Sequence, residues 1–304
     1  MVSRNYRLVT NREALDLALE CCAAVFPETK PCEWEATGVD APGSAGHCHI
    51  DLLHHSAALD FSVVPAGLRP EAFGPFIRVT NSYNGLRALG FDIGYYRKVC
   101  TNGLIVPDSI IRFRFNHLRR EMREAAQFRV ARQQLARFRA LFTDTLARLR
   151  NFAVPAAHFE TLLRAVLNIR PPKKMEPGSI EVAEWNALRR HLAEICDRYA
   201  GELGENGYAL FNAITDLASH PPGNRCLHRD RHALQQLAGA WLTAITAACG
   251  KPGFSVVREI RKFAKARSKA QRTRGGARGE DDGSGRLAPS PAGRLASHPE
   301  WSAP

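Results

Sequence analysis

Residues 79–106 read VTNSYNGLRALGFDIGYYRKVCTNGLIV and contain the strongest fold signal in the chain. Two Asn-Gly pairs, Asn84-Gly85 and Asn102-Gly103, separate short runs that are rich in Val, Ile, Phe and Tyr. Asn and Gly tolerate the positive φ angles of tight turns, so an Asn-Gly pair between two apolar runs predicts a β-hairpin. The stretch therefore predicts an antiparallel sheet.

Strand-like segments continue on both sides of this stretch, and Gly and Pro separate them in the way that favours hairpins over β–α–β units. We place these segments at 32–38, 46–54, 58–65, 74–81, 86–99 and 109–116. A helix is expected before them at 11–25, capped near Thr10 or Asn11. Its apolar pattern predicts an inward face formed by Leu15, Leu17, Leu19 and Ala23.

The second part of the chain is helical in pattern. Residues 117–150 contain neither Gly nor Pro and place an apolar stripe along one side of a long helix. Further helical patterns follow at 155–168, 180–202, 206–219, 230–249 and 254–268. Residues 269–304 lack an apolar period and are rich in Gly, Ser, Pro and Arg, which predicts a flexible tail.

These patterns predict an α+β fold with an N-terminal antiparallel β-sheet with hairpins, a long basic helix, a C-terminal helical part and a disordered tail. We expect the opening helix and the sheet to occupy 1–116, and the helices packed on that sheet to occupy 117–268. These two parts are expected to form one compact unit, followed by a flexible basic tail at 269–304.

Composition excludes several classes of protein. Of the 304 residues, 45% are hydrophobic, so the chain can build a core and is not disordered as a whole. No window reaches the roughly 18 uncharged apolar residues that a membrane span needs. A signal peptide would have its apolar region near the N-terminus, but charged residues stand there at positions 12, 13 and 16. We therefore expect a cytoplasmic protein without a membrane partner.

Two further absences narrow the chemistry. The eight cysteines contain no Cys-x-x-Cys pair, and reduced thiols are expected in a cytoplasmic chain. Neither a phosphate-binding GxxxxGK[ST] loop nor a GxGxxG turn occurs, which argues against a nucleotide hydrolase or a dinucleotide enzyme.

Positive charge is concentrated in two segments. The chain has 42 Lys+Arg and 30 Asp+Glu, a formal net charge of +12. The 117–150 helix alone carries nine arginines against three acids, and residues 258–274 carry eight basic residues against one acid. Clustered cations of this kind favour a polyanion partner, with a solvated surface or an acidic protein partner as alternatives. The arginines expected to contact nucleic acid are Arg119, Arg123, Arg129, Arg132, Arg137 and Arg139.

The central stretch also carries a family resemblance. NSYNG at 81–85, followed by GYYRKVCTNGLIV at 94–106, resembles the phage/plasmid-like domain-of-unknown-function family number nine hundred thirty-two. NGYALFNAITDLASHPP at 206–222 is similar to a second recurrent stretch of that family. The resemblance extends over about residues 60–250, and Asn84 stands where the family pattern leads us to expect Asp.

The resemblance implies a mobile-element setting and a mixed sheet-and-helix domain, but no established activity. The positions that match the motif are Asn81, Ser82, Tyr83, Gly85, Arg97, Cys100, Asn102 and Gly103. Physically, Arg97 could bind a phosphate while Tyr95 or Tyr96 stacks on a base. The alternative is that the two tyrosines divide between core and surface, that Arg97 pairs with an acid and that Cys100 packs in the core.

Two groups of residues have the composition of metal ligands. His47, His49 and Asp51 would share one face of a strand, which makes a His-x-His chelate geometrically possible. A looser group follows a Pro-Pro pair and consists of Cys226, His228, Asp230 and His232. Ordinary structural histidines account for both groups, and Cys100 has no activating neighbour in the sequence. The sequence therefore assigns no metal site, no catalytic residue and no cofactor.

The function that this sequence predicts is non-enzymatic nucleic-acid binding in a protein of mobile-element origin. Single-stranded DNA is the expected form, since no helix-turn-helix or zinc-finger pattern indicates reading of a duplex groove. One alternative is a metal-dependent nuclease or other hydrolase acting on nucleic acid. Another is a protein-interaction module, such as an inhibitor of a host defence system. A homo-oligomer is possible in each case.

Overall fold

The computed structural model describes residues 8–40, 46–55, 61–63, 71–83, 88–98, 103–105, 112–115 and 139–276. Within these residues, an antiparallel sheet from the N-terminal part of the chain is followed by helices. This order confirms the α+β fold predicted from the sequence.

In the described part of the chain, seven strands form one sheet whose pairings are all antiparallel. The strands are β1 (Trp34–Asp40), β2 (His47–His54), β3 (Phe61–Val63), β4 (Glu71–Ser82), β5 (Leu89–Arg97), β6 (Gly103–Ile105) and β7 (Arg112–Phe115). The main order is β1-β2-β4-β5-β6, with β3 paired to β4 and β7 paired to β5. The long β4 and β5 therefore form the middle of the sheet.

The register confirms the hairpin expected at Asn84-Gly85. Thr80 of β4 pairs with Gly90 of β5, so Asn84-Gly85 lies in the connection between antiparallel neighbours. Tyr96 of β5 pairs with Gly103, so the glycine of the second Asn-Gly pair is already a strand residue. The short strand β6 that it begins was not predicted from the sequence. The connecting residues 84–87 and 99–102 lie outside the described residues.

Alternation along the strands gives the sheet two chemically different faces. One face is largely apolar and includes the cross-strand pairs Cys48–Asn81, Ile50–Val79 and Leu52–Ile77. The other face is polar and includes the pairs His49–Thr80 and Asp51–Arg78. All four residues of these polar pairs are buried. Buried polar groups require partners, so the polar face must be satisfied internally.

Seven helices are described. They are α1 (Asn11–Val25), α2 (139–149), α3 (Phe159–Leu167), α4 (Ile180–Leu203), α5 (Gly207–Ser219), α6 (Arg231–Thr246) and α7 (Val256–Gly276). Several begin at a side chain that accepts a backbone N–H of the first turn, which satisfies an otherwise unpaired donor. These N-caps are Thr10, Ser179, Asn206 and Asp230.

Helix α1 has the bounds expected from the sequence, but its inward face was predicted wrongly. Ala14, Ala18, Cys21, Cys22 and Val25 are buried, whereas Leu15, Leu17 and Leu19 are only partly buried and Ala23 is exposed. Small side chains occupy the face that packs against the body of the protein, and the larger leucines lie along its margin. The prediction placed the larger apolar side chains on the inward face of α1, but the close approach of the helix to the body of the protein admits only small side chains there.

Helix α5 forms the centre of the helical part, since all of its residues are buried. Its first residue, Gly207, lies so close to the end of α2 that a Cβ atom would stand 2.9 Å from the carbonyl oxygen of Leu149. A side chain at this position would therefore push the two helices apart. Phe211 on the next turn lies near the rings of Phe142 and Trp241.

Helix α7 continues past residue 268, where the helical pattern was expected to end, as far as Gly276. The contacts of the chain divide after Ala264, within this helix. No helix among the described residues is both long enough and apolar enough to cross a membrane.

Candidate functional site

Helix α7 carries the densest positive charge among the described residues. Its sequence, VVREIRKFAKARSKAQRTRGG, contains eight Lys and Arg residues and a single acid, Glu259. Val256 and Ile260 are buried, and Val257 and Phe263 pack against the core. Arg261, Lys262 and Lys265 are exposed. An apolar side thus anchors the first turns of the helix while cations face solvent.

The one acid of α7 compensates little of this charge. Glu259 Oε1 lies 2.8 Å from Lys262 Nζ and 3.5 Å from Arg258 Nε, and these cations hold the pKa of Glu259 below its usual range. Arg258 also donates to the carbonyl oxygen of Gly253. One carboxylate shared by two cations leaves the helix strongly positive.

The second basic segment, 117–150, is described only from residue 139. Arg119, Arg123, Arg129, Arg132 and Arg137 lie outside the described residues, as does most of the helix to which they were assigned. Arg139 is exposed. Further along α2, Arg148 Nε donates to Asp144 at 2.8 Å, and the guanidinium of Arg150 donates to the carbonyl oxygen of Leu203 at 2.8 Å. The end of this segment is therefore partly committed to internal contacts.

The tyrosine pair of the central stretch divides between the core and its margin. Tyr95 is buried, its ring centroid lies 5.7 Å from that of Phe142, and burial raises its pKa. Tyr96 is half-buried and donates its hydroxyl to the carbonyl oxygen of His54 at 3.1 Å. Tyr95 therefore offers no exposed ring on which a base could stack.

Arg97 belongs to a buried network rather than to an open surface. Its guanidinium donates to Glu71 at 2.6 Å and to the side-chain oxygen of Asn212 at 3.2 Å. Tyr208 of α5 donates its hydroxyl to the other oxygen of Glu71. Burial and the adjacent carboxylate raise the pKa of Tyr208. The network ties the end of the β4–β5 hairpin to α5.

The remaining motif residues hold the start of the chain against the sheet. Asn81 donates to the carbonyl oxygen of Val9 at 2.9 Å and to Asn11 Oδ1 at 3.0 Å, and Cys48 Sγ also donates to Asn11 Oδ1. Ser82 donates to Gly46, and the Tyr83 hydroxyl lies 3.8 Å from Cys48 Sγ. Gly103 begins β6, while Gly85, Cys100 and Asn102 lie outside the described residues. The described motif residues thus make structural contacts.

The polar face of the sheet contains a row of alternating charges that the sequence analysis missed. Asp51, Arg78 and Asp92 are successive cross-strand neighbours on β2, β4 and β5. The Arg78 guanidinium makes two 2.6 Å hydrogen bonds to Asp51, and Arg231 of α6 approaches Asp51 at 3.3 Å. Arg78 is 1% exposed. A signal existed in the sequence, because acids and arginines recur at inward positions of otherwise apolar strands.

A pocket of about 240 Å³ borders this charge pair. Asp51, Tyr96, Arg231 and Gln235 are among its lining residues, and Arg78 is not. Solvent therefore reaches Asp51 from one side, while the guanidinium of Arg78 remains sealed beneath it.

The two histidine groups of the sequence converge beside this row. Donor atoms of His47 and His49 on β2 and of Asp230 at the start of α6 all lie within 4.8 Å of one another. The ring of His49 stacks on that of His232, with centroids 4.4 Å apart and planes 13° from parallel. His232 Nε2 lies 3.9 Å from Asp92. Cys226 and His228 are instead among the residues that line a separate pocket with Glu181 and Glu184.

Two buried cysteines of the described part of the chain are chemically inert. The described cysteines, which exclude Cys100, are all free thiols. Burial raises the pKa of Cys21 and of Cys196 to about 12, so neither forms a thiolate at neutral pH.

Comparison with known proteins identifies the family. No curated protein and no solved structure matches the chain. The family model for the domain of unknown function DUF932 matches residues 1–241, a span that contains the sheet, the central motif and helices α1 to α5. Because this match covers most of the chain and includes the motif on which the resemblance rested, the protein belongs to the DUF932 family.

Proposed function

We propose that this protein binds nucleic acid without catalysing a reaction on it, and that single-stranded DNA is its preferred ligand. The observation that carries the proposal is α7, an ordered helix with eight basic residues, one acid and exposed cations at Arg261, Lys262 and Lys265. The mobile-element setting belongs to the same proposal and is supported by the motif resemblance.

The physical basis is the release of counterions. A single strand carries condensed cations, and each phosphate that a Lys or Arg neutralises releases part of them into solution. Binding is therefore favoured by entropy and weakens as salt rises. A helix with cations on successive turns can follow several phosphates of a flexible strand at once, which a scattered set of surface charges cannot do.

The location of the charges also restricts the interface. Arg97 is engaged by Glu71 and Asn212, and Tyr95 is buried, so neither forms part of the proposed surface. Tyr96 has its hydroxyl committed to His54. The proposed interface consists of the exposed cations of α7. Arg139 and the arginines predicted between 119 and 137 remain candidate contacts to the same ligand.

A charge-reversal pair tests the proposal. The variant Arg261→Glu/Lys265→Glu changes two exposed cations of α7, and Lys173→Glu/Lys174→Glu makes the same change in charge at two exposed residues between α3 and α4. Binding to fluorescein-labelled oligo-dT is measured by anisotropy between about 50 and 200 mM NaCl, with a duplex of matched length as competitor.

We expect the α7 variant to bind at least about tenfold more weakly, and its salt slope to fall by about 0.7 for each phosphate that the variant no longer neutralises. The matched control should retain most of the affinity, and the single strand should compete better than the duplex. Affinity that is independent of salt, or an equal loss in the two variants, would contradict the proposal.

A further inference from the structure

We infer that His47, His49 and Asp230 form a binding site for a divalent first-row transition metal, with zinc as its representative. The site joins two groups that lie far apart in the sequence, one on β2 and the other at the N-cap of α6. Its donor atoms all lie within 4.8 Å of one another. The inference does not depend on nucleic-acid binding by α7.

Strand geometry places the two histidines. Residues two positions apart in a strand point to the same face, so His47 and His49 both project from the polar face of β2. Helix α6 begins over this face, as the contact of Arg231 with Asp51 and the stacking of His232 on His49 show. Asp230, one residue before α6, therefore lies beside the two rings.

Hydrogen bonds to neighbouring groups orient two of the three ligands. His49 Nδ1 lies 2.9 Å from Thr80 Oγ1, a contact that holds the ring in place, and the proposed coordination is through the other ring nitrogen, Nε2. Asp230 Oδ1 accepts the backbone N–H of Ala233 at 2.8 Å, which leaves Oδ2 for a metal ion. Partners of this kind fix the ring tautomer and the direction of the carboxylate, as they do around known protein metal sites.

The surroundings support the same assignment. The stacked ring of His232 restricts rotation of His49, and His232 Nε2 faces Asp92. The guanidinium of Arg231, the residue after Asp230, is directed to Asp51 instead of the donor cluster. His49 is buried, and His47 and Asp230 are half-buried, so an ion could enter from their side.

The donor set indicates the class of metal. Two imidazole nitrogens and one carboxylate oxygen suit Zn²⁺ and its first-row neighbours better than Ca²⁺ or Mg²⁺, which prefer oxygen alone. Tetrahedral zinc with bonds of about 2.0–2.1 Å separates its donors by about 3.4 Å, so side-chain shifts of about 1 Å would close the site. Three protein ligands leave a coordination position for water.

The test uses the full chain, stripped of metal with a chelator and carrying Cys32→Ser, because Cys32 is exposed and its thiol would compete for zinc. Zinc binding is measured by calorimetry. In a second experiment Co²⁺ takes the place of zinc, and its visible absorption spectrum reports the coordination number. Asp230→Asn preserves a side chain able to cap α6, His47→Ala removes a half-buried ligand, and His158→Ala serves as the control outside the cluster.

We expect one equivalent of zinc and a Co²⁺ spectrum typical of four or five ligands. Asp230→Asn and His47→Ala should each lower zinc affinity by at least about tenfold, and the control should not change it. Far-ultraviolet circular dichroism verifies that each variant is folded. The absence of stoichiometric binding, or affinity unchanged in both ligand variants, would overturn the inference.

Discussion

The arginines of the sheet and the cations of α7 show how differently one kind of charge can be used in the same chain. Arg78 on β4 is almost fully buried and is bonded to Asp51, and Arg97 on β5 is largely buried and is bonded to Glu71. Arg261 and Lys265 lie on a helix with a single acid and face solvent. A buried arginine paired with a carboxylate contributes to the fold, whereas a row of exposed cations is available to a partner.

This difference has an energetic basis. Removing one member of a buried ion pair leaves an uncompensated charge in a medium of low dielectric constant, which costs several kcal/mol. Removing an exposed cation costs almost nothing, because water screens it in both the folded and the unfolded state. Substitutions in the sheet should therefore lower the free energy of unfolding far more than substitutions in α7.

The largest effect is expected for Asp51→Asn, since it leaves the Arg78 guanidinium buried without its carboxylate. We expect the free energy of unfolding to fall by about 3–5 kcal/mol, measured by urea denaturation followed by circular dichroism. Asp144→Asn, which alters an exposed pair with Arg148, should cost less than about 1 kcal/mol.

A double variant sharpens this first prediction. Asp51→Asn combined with Arg78→Met removes both charges and should recover part of the lost stability. If Asp51→Asn lowers the free energy of unfolding no more than Asp144→Asn does, the buried pair does not stabilise the fold.

A smaller loss is expected for Tyr208→Phe, which removes the hydroxyl that donates to Glu71. Arg97 still contacts Glu71 in this variant. We therefore expect the free energy of unfolding, measured by urea denaturation, to fall by about 1–3 kcal/mol, the usual cost of a buried acceptor that loses a donor. Tyr83→Phe is the matched control, because Tyr83 is at the exposed margin of the sheet and its hydroxyl lies 3.8 Å from Cys48 Sγ. Equal losses in the two variants would contradict the network.

A surface ion pair on the helices provides an intermediate case with a pH signature. Arg189 makes two hydrogen bonds to Glu160 and Arg164 makes one, and they lower the pKa of Glu160 from its ordinary value of 4.5. Glu160→Gln should lower the free energy of unfolding by about 0.5–1 kcal/mol at neutral pH, measured by urea denaturation.

The sign of the pH dependence follows from this lowered pKa. The carboxylate stabilises the folded state above the pKa of the unfolded chain, and the contribution is lost as the pH falls through the folded-state pKa. The stability curves of the wild type and of Glu160→Gln should therefore converge in acid. A difference that persists unchanged below the ordinary pKa of glutamate would rule out the ion pair as its source.

The smallest effect on stability is expected for Arg261→Glu/Lys265→Glu in α7. Both side chains are exposed, and we expect the free energy of unfolding to change by less than about 0.5 kcal/mol, measured by urea denaturation. A loss comparable to that of Asp51→Asn would mean that these cations serve the fold, which would remove the contrast between the two regions.

The comparison also shows what could be predicted from the sequence. Hairpin β4–β5 followed from its Asn-Gly pair, because turn chemistry is local. The short strand β6 did not follow, because Gly103 lies in the strand and pairs with Tyr96. The approximate bounds of helices α3 to α6 could be predicted from the helical spacing of their apolar residues and from the Gly and Pro residues that separate them. The inward face of α1 did not follow, because close packing chose Ala14, Ala18 and the cysteines over larger leucines.

The site was less predictable, because its contacts are long-range. Asp51 and Arg78, or His49 and Asp230, are brought together only by strand register and by the placement of α6 over the sheet. The sequence left open whether Arg97 binds a phosphate or pairs with an acid, and the structure places it against Glu71 at the start of the neighbouring strand β4. Charge counts along the chain cannot distinguish such a pair from an exposed cation.

The most direct test of the contrast is chemical acetylation of lysines with and without oligo-dT at low salt, read by mass spectrometry. Lys262 and Lys265 on α7 should be strongly protected by the oligonucleotide, while Lys173 and Lys174, which are equally exposed, should be modified to the same extent in both samples. Modification of Lys262 and Lys265 that does not change when the oligonucleotide is present would contradict the assignment of α7 to a nucleic-acid partner.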